Sequence, residues 1–182
     1  MPSGRTHDRI TYLSLAPLTL IVYILTRQVE WLFWFSGAYL FSGLMFGPDL
    51  DIYSIQYKRW GMIRWIWLPY QSCLRHRSFF SHGFIVGTVI RILYLFTIVL
   101  IVAIFAVAIA QLIWGFPWNW RKFANQSFNL LKNRYLAEAI VTLIGLELGA
   151  MSHSCSDYLV SYFKRSQKKP KKRPYKRKKI RK

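Results

Sequence analysis

Apolar and polar positions fall in long blocks along this chain, not at the period of two that marks a half-buried strand. Tyr12 to Thr26 carries no charge, and neither does Trp31 to Gly47 over 17 residues. Ile92 to Trp114 is uncharged over 23 residues, while Leu136 to Met151 is interrupted by Glu138 and Glu147. A helix rises 1.5 Å per residue, so about 20 apolar residues cross a hydrocarbon core of ~30 Å. The third block therefore predicts a membrane-spanning helix, and the second predicts another. The first is short and contains Pro17, and the fourth holds two acids. Each of these is either a full crossing or a helix packed inside a bundle or lying at the interface. The expected fold is all-α: a multi-pass helical membrane protein of about four apolar helices.

Composition sharpens that picture. The chain has 182 residues, 53% of them hydrophobic and 18% aromatic, with 26 Lys and Arg against seven acids and a net charge of +19. This argues against a simple soluble enzyme, an acidic disordered chain and a disulfide-stapled module. Half of the basic residues, 13, lie in residues 164–182. Residues 1–163 are expected to form the helical membrane domain, and 164–182 a disordered polybasic tail, since such a segment has nothing with which to build a core. Lys and Arg gather on the cytoplasmic side, so four crossings place both termini there, against mild opposition from Arg121, Lys122, Lys132 and Arg134. Arg5 and Arg9 before the first apolar block suggest a secretory signal. No small-x-small cleavage site follows, and the segment is read as retained.

Tryptophans mark the expected span ends at Trp31, Trp34, Trp114, Trp118 and Trp120. Residues 52–70 mix Trp60, Trp65 and Trp67 with Lys58, Arg59 and Arg64. This segment either lies along the membrane surface, rings in lipid and cations on phosphates, or is a loop whose tryptophans pack on the protein. Anionic headgroups are the expected partner of both this segment and the tail. No stacking platform or groove-reading motif accompanies the basic run to make specific nucleic-acid recognition the better reading.

Candidate chemistry is concentrated in four short motifs: His7-Asp8; Asp49 and Asp51 in GPDLDI; His76 and His82 in RHRSFFSH; and His153 with Asp157 in SHSCSD. All four histidines and four of the seven acids lie there. Imidazole nitrogen and carboxylate oxygen together suit zinc, iron or manganese. His153 and Asp157 are one helical turn apart and face one ion if the last helix continues past Met151. The spacing of His76 and His82 suits a turn opening a helix. A PDxD turn offers two carboxylates, one able to bridge two ions and the other to hold a ligand imidazole. Capping, turn and headgroup-contact roles are the competing reading for His7, Asp49 and His76. Cys73 and Cys155, each within three residues of a histidine, are read as reduced thiols, with metal ligation as the lesser alternative. One site requires all four motifs on one face of the membrane. The apolar blocks supply two crossings between Asp8 and Asp49 and two between His82 and His153, so parity holds.

The segments PSGRTHDRIT, GLMFGPDLDIYSIQYKRWG, LRHRSFFSHG and SHSCSDYL resemble a bacterial family catalogued as uncharacterised metal-binding protein. The motif order, with a PDxD turn and an HR-x-x-x-SH element, is also similar to the YdjM-like membrane-bound metal-dependent hydrolases, relatives of the helical zinc phospholipase C and nuclease superfamily. The resemblance implies a metal site with His7, Asp49, His76, His82, His153 and Asp157 as ligands. It implies one or two ions, zinc first and iron or manganese next, and hydrolysis of phosphoesters. The bacterial inner membrane is the implied location.

If the site is catalytic, Asp51 or Asp8 is the expected acceptor of a water proton, and Arg75 or Arg77 the expected partner of charge on a phosphoryl group. A site at the cytoplasmic surface would meet phospholipid or other lipid-linked phosphate. The competing class is a non-catalytic metal-binding membrane protein for sensing, metal handling or assembly. A transporter using Glu138 and Glu147 is a weaker third, because the histidines lie outside the spans.

Overall fold

In the computed structural model, which describes residues 4–166, every regular element is helical. Helix α1 covers Gly4–Thr26 and α2 covers Val29–Leu44. A 3-10 turn over Pro48–Asp51 leads to α3 at Ile55–Arg59, a second 3-10 segment at Gly61–Trp67 and α4 at Leu68–Cys73. The short α5, Phe79–His82, precedes the longest apolar helix, α6, Val86–Trp114. Helix α7, Trp120–Asn133, and α8, Leu136–Ser166, complete the chain. Of the expected tail, only residues 164–166, the end of α8, are described; the rest lies outside the described residues.

Among the described residues three helices, against about four expected, are long and apolar enough to cross a membrane: α1, α6 and the Leu136–Tyr158 portion of α8. The second apolar block falls short because α2 ends at Leu44. Its 16 residues extend only about 24 Å. Position explains its apolarity. Phe35, Ala38, Tyr39, Ser42 and Gly43 are buried, so one face of α2 packs on its neighbours, while Phe33, Trp34 and Phe41 on the other are exposed. It lies along α8, where a Cβ on Gly145 would come within 2.7 Å of the Phe35 carbonyl oxygen. Small residues four apart let two helix backbones approach this closely. Tyr39 and Ser14 share a 2.6 Å hydrogen bond that ties α2 to α1.

A second core sits where the chain leaves α2. Phe46, Leu50, Tyr57, Trp67 and Tyr70 are buried together, with Trp60 and Tyr94 against them. Segment 52–70 thus divides. Trp67 is 0% exposed and edge-on to Phe46, Trp60 and Tyr70, and the Trp60 indole donates to the Met45 carbonyl at 2.9 Å. Those two rings follow the packing alternative, whereas Met62, Ile63, Trp65 and Leu68 are exposed.

Beyond its first turns α6 buries nothing, only Gly87, Thr88 and Arg91 being enclosed. That is the pattern of a helix whose surroundings are apolar on every side. The stretch between the last two spans, read from sequence as a basic loop edged by tryptophan, is largely α7. Asn119 caps it by accepting the Lys122 N–H at 2.9 Å. Trp120, Phe123 and Leu131 share one face, Lys122 and Asn129 the other, and no α7 residue is buried.

Candidate metal centre

The four motifs meet at one end of the bundle. α1 runs away from this end and α2 returns to it; α6 leaves and α8 comes back. His7 in the first turns of α1 therefore stands beside His153 and Asp157 near the end of α8. Their rings stack, with centroids 3.8 Å apart, and His7 Nε2 lies 3.3 Å from Asp157 Oδ1. All three residues are buried. α8 continues well past Met151, which puts His153 and Asp157 on one face.

The other half is carried by turns. Gly47 and Pro48 end the run out of α2, and the 3-10 turn presents Asp49 and Asp51 inward. His76 occupies the turn between α4 and α5, and His82 is the last residue of α5, whose N-cap Ser78 accepts the Ser81 N–H. Arg77 (φ 58°) and Ile85 (φ 61°) hold left-handed backbone on either side of α5, a conformation costly for side chains with a Cβ. The tertiary contacts of this loop must support it.

Two sets of donors lie close enough to hold a cation: His7, His153 and Asp157; and Asp49, His76 and His82. Asp49 joins them. Its Oδ1 is 3.6 Å from His82 Nε2, and its Oδ2 is 3.1 Å from His153 Nε2. Burial alone would raise the Asp49 carboxyl, but the imidazoles of His153 and His82 outweigh burial and hold it far below the usual carboxylate range. It is a carboxylate facing imidazoles from both sides.

The remaining contacts orient the rings. Ser156 Oγ donates to the His153 carbonyl at 2.8 Å, which uses its single proton. Its 2.6 Å hydrogen bond with His7 must therefore come from the His7 Nδ1–H, leaving the Nε2 lone pair aimed at Asp157. Likewise His76 Nδ1 donates to Asp51 Oδ1 at 2.9 Å, and Asp51 Oδ2 lies 3.6 Å from His82 Nδ1. What results is a set of buried atoms with no hydrogen-bond partner: Asp49 Oδ1, His76 Nε2, His82 Nε2, His153 Nε2 and Asp157 Oδ1. Leaving one buried polar atom unsatisfied costs about 1–3 kcal/mol, so five convergent ones require a shared partner. A divalent cation fits the nitrogen and oxygen donors present.

Each expected site residue has a definite place. The six expected ligands converge. Asp51 is wholly enclosed and engaged by imidazole, so water does not reach it. Asp8 lies outside both donor sets and receives two hydrogen bonds from Arg59, at 2.9 and 2.5 Å. Arg77 reaches Asp157 Oδ2 at 3.4 Å from an exposed position, and Arg75 is exposed at the rim. Cys73 and Cys155 are exposed free thiols outside both donor sets. Sequence reasoning passed over Ser156, one turn after His153, and Arg91, which stood just before the block counted from Ile92. A lone cation at the edge of the longest apolar run was the available signal.

Neither the curated proteins nor the solved structures contain a match to this chain. The family model described as uncharacterized metal-binding protein (DUF2227) matches residues 2–167, a span that includes all four converging motifs. The chain belongs to that family of metal-binding proteins.

Proposed function

We propose that this protein is a metal-dependent hydrolase of phosphoesters, anchored in the bacterial inner membrane with its site at the cytoplasmic face. The observation that carries the reading is Asp49, one carboxylate placed between two His/Asp donor sets whose inward atoms have no other partner. Two cations sharing a carboxylate are a recurring arrangement for in-line displacement at phosphorus. His7, His153 and Asp157 would hold one ion, His76 and His82 the other, with Asp49 common to both. Zinc is the first expectation for these donors, iron or manganese the next. Bound divalent metal supplies Lewis acidity toward a phosphoryl oxygen and lowers the pKa of water near neutrality.

The chain's own residues do the positioning. Asp51 fixes the His76 ring and Ser156 the His7 ring, so each presents Nε2 to the centre without searching for a rotamer. Arg77, exposed beside Asp157, neutralises phosphoryl charge, and Arg75 adds to the positive rim. Of the two carboxylates expected as bases, Asp51 accepts the His76 Nδ1–H on Oδ1 and Asp8 is paired with Arg59. Membrane anchoring is supported by three helices of sufficient length and apolarity. Cytoplasmic orientation is supported by the basic run after residue 164. That run and the exposed Met62, Ile63, Trp65 surface are proposed to rest on anionic headgroups. The reaction class rests on the resemblance of the motif order, read from the sequence alone, to YdjM-like hydrolases.

The test is turnover by the full chain in detergent micelles, loaded with zinc or manganese, on bis(p-nitrophenyl) phosphate and p-nitrophenyl phosphate. Hydrolysis that disappears in Asp49→Asn is the expected result. Stoichiometric metal with no turnover of either ester would replace hydrolysis by a non-catalytic metal-binding role.

A further inference from the structure

Two neighbouring cavities share part of their lining, and the inner one borders the donor cluster at His82. The inner one, about 90 Å3, is walled by Pro48, His82, Thr88, Arg91, Ser154 and Cys155, among others. The outer one, about 570 Å3, is a cleft between α6 and α8 bounded by Ile85, Val89, Ile92, Leu143, Ile144 and Leu148. Phe84, Thr88, Glu147 and Met151 line both. The route therefore begins at an imidazole of the metal centre and ends between two helices that can each cross a membrane.

Polarity falls along it. At the inner end Arg91 is 1% exposed, and its guanidinium donates to the Ser81 carbonyl and to Thr88 Oγ1, each at 2.9 Å. Its Nε has no partner, and among the described residues no carboxylate comes within 4 Å of it. Glu147, which also lines the passage, accepts the Ile85 backbone N–H at 2.9 Å. A buried guanidinium lacking a paired carboxylate is a site for an anion, because an enclosed cation is costly until it is paired. The outer end is apolar and opens sideways, and its volume lies within the range of ligand sites. In a bilayer, what surrounds the outer walls is hydrocarbon chain.

We propose that the substrate is a phosphate ester carried on a long hydrocarbon chain, the chain lying in the α6–α8 cleft and the phosphate directed past Arg91 toward His82. Hydrolysis of that phosphate rests on the reading above; occupation of the cleft by a lipid chain does not, and is tested apart from it. Arg91 is a binding residue, reading charge at the inner end, while Val89, Ile92, Leu143 and Ile144 select for a chain.

The experiment uses the full chain in nanodiscs doped with phosphatidic acid bearing a diazirine on its acyl chain. After irradiation, labelled peptides are mapped in wild type, Ile144→Trp and Val89→Trp, two substitutions on partly exposed walls that fill the cleft. Labelling concentrated in residues 84–92 and 143–151, and about tenfold lower in both variants with α1 labelling unchanged, is the expected outcome. Labelling spread evenly over α1, α6 and α8 would mean surrounding lipid only and would overturn the proposal. In turnover assays, the same variants should lose about tenfold in kcat/KM on long-chain phosphatidic acid and keep the wild-type rate on p-nitrophenyl phosphate. An equal fall on both substrates would overturn chain selection by the cleft. Concentrated labelling with no turnover of any ester would retain the lipid site and remove the hydrolase reading alone.

Discussion

The two halves of the donor cluster are built on different principles. His7, His153 and Asp157 stand on α1 and α8, long helices pressed against a shared core, and all three are buried. Asp49, His76 and His82 stand on a 3-10 turn, an irregular connection and the end of a four-residue helix, and all three keep partial exposure. Helices fix side-chain direction through backbone hydrogen bonds alone, so the first half needs little beyond Ser156. Turns do not, and the second half needs Asp51 under both imidazoles and left-handed backbone at Arg77 and Ile85. The difference teaches a division of labour. The helical half is the rigid anchor, whereas the turn half faces the cavity and carries the ring, His82, that a ligand would meet.

The most severe way to break this comparison is at the residue both halves share. Asp49→Asn removes the bridging charge, and metal content of the purified chain, read by plasma mass spectrometry, should fall from about two ions per chain to near none. Next come the halves singly. His153→Ala and His82→Ala should each cost about one ion per chain, with the buried His153 site lowering the melting temperature more. A smaller effect sharpens the contrast. Asp51→Asn leaves every donor in place but loosens His76 and His82, so metal affinity of the turn half alone should weaken by about 10–100-fold. Competition with a chromogenic chelator resolves that step from the undisturbed one. The smallest effect is expected at Arg59→Ala. Its pair with Asp8 is partly solvated, worth roughly 0–1 kcal/mol, and since Asp8 belongs to neither donor set, metal content should not change.

How far the sequence disclosed this arrangement follows the same division. The four-residue interval of His153 and Asp157 is a helical signal, and it placed both residues on one face of a helix continuing past Met151. The pairing of apolar blocks brought the distant motifs to one end, because α2 turns back along α1 and α8 along α6, although α2 is too short to count as the crossing that parity assumed. α2 shows the limit of that signal. Phe35, Ala38 and Tyr39 are buried against neighbouring helices while Phe33, Trp34 and Phe41 are exposed, and an apolar face turned to protein reads like one turned to lipid. Asp51 was ambiguous for a related reason: a carboxylate two residues from a ligand can work on water or on an imidazole, and only burial distinguishes them. Sequence left Trp60 and Trp67 open between the membrane surface and packing on the protein, and the contacts of Trp67 with Phe46, Tyr70 and Tyr94 decide for packing. Arg91 escaped because block counting began one residue after it.

The central claim is that two donor sets, joined by Asp49, form a single centre. Crystals of the full chain soaked in zinc or manganese, with anomalous scattering recorded on both sides of the metal edge, test it most directly. The account predicts two peaks, one among His7, His153 and Asp157 and the other between His76 and His82, with Asp49 between them. Peaks confined to the basic terminus or lattice surfaces, with none among these six side chains, would contradict it.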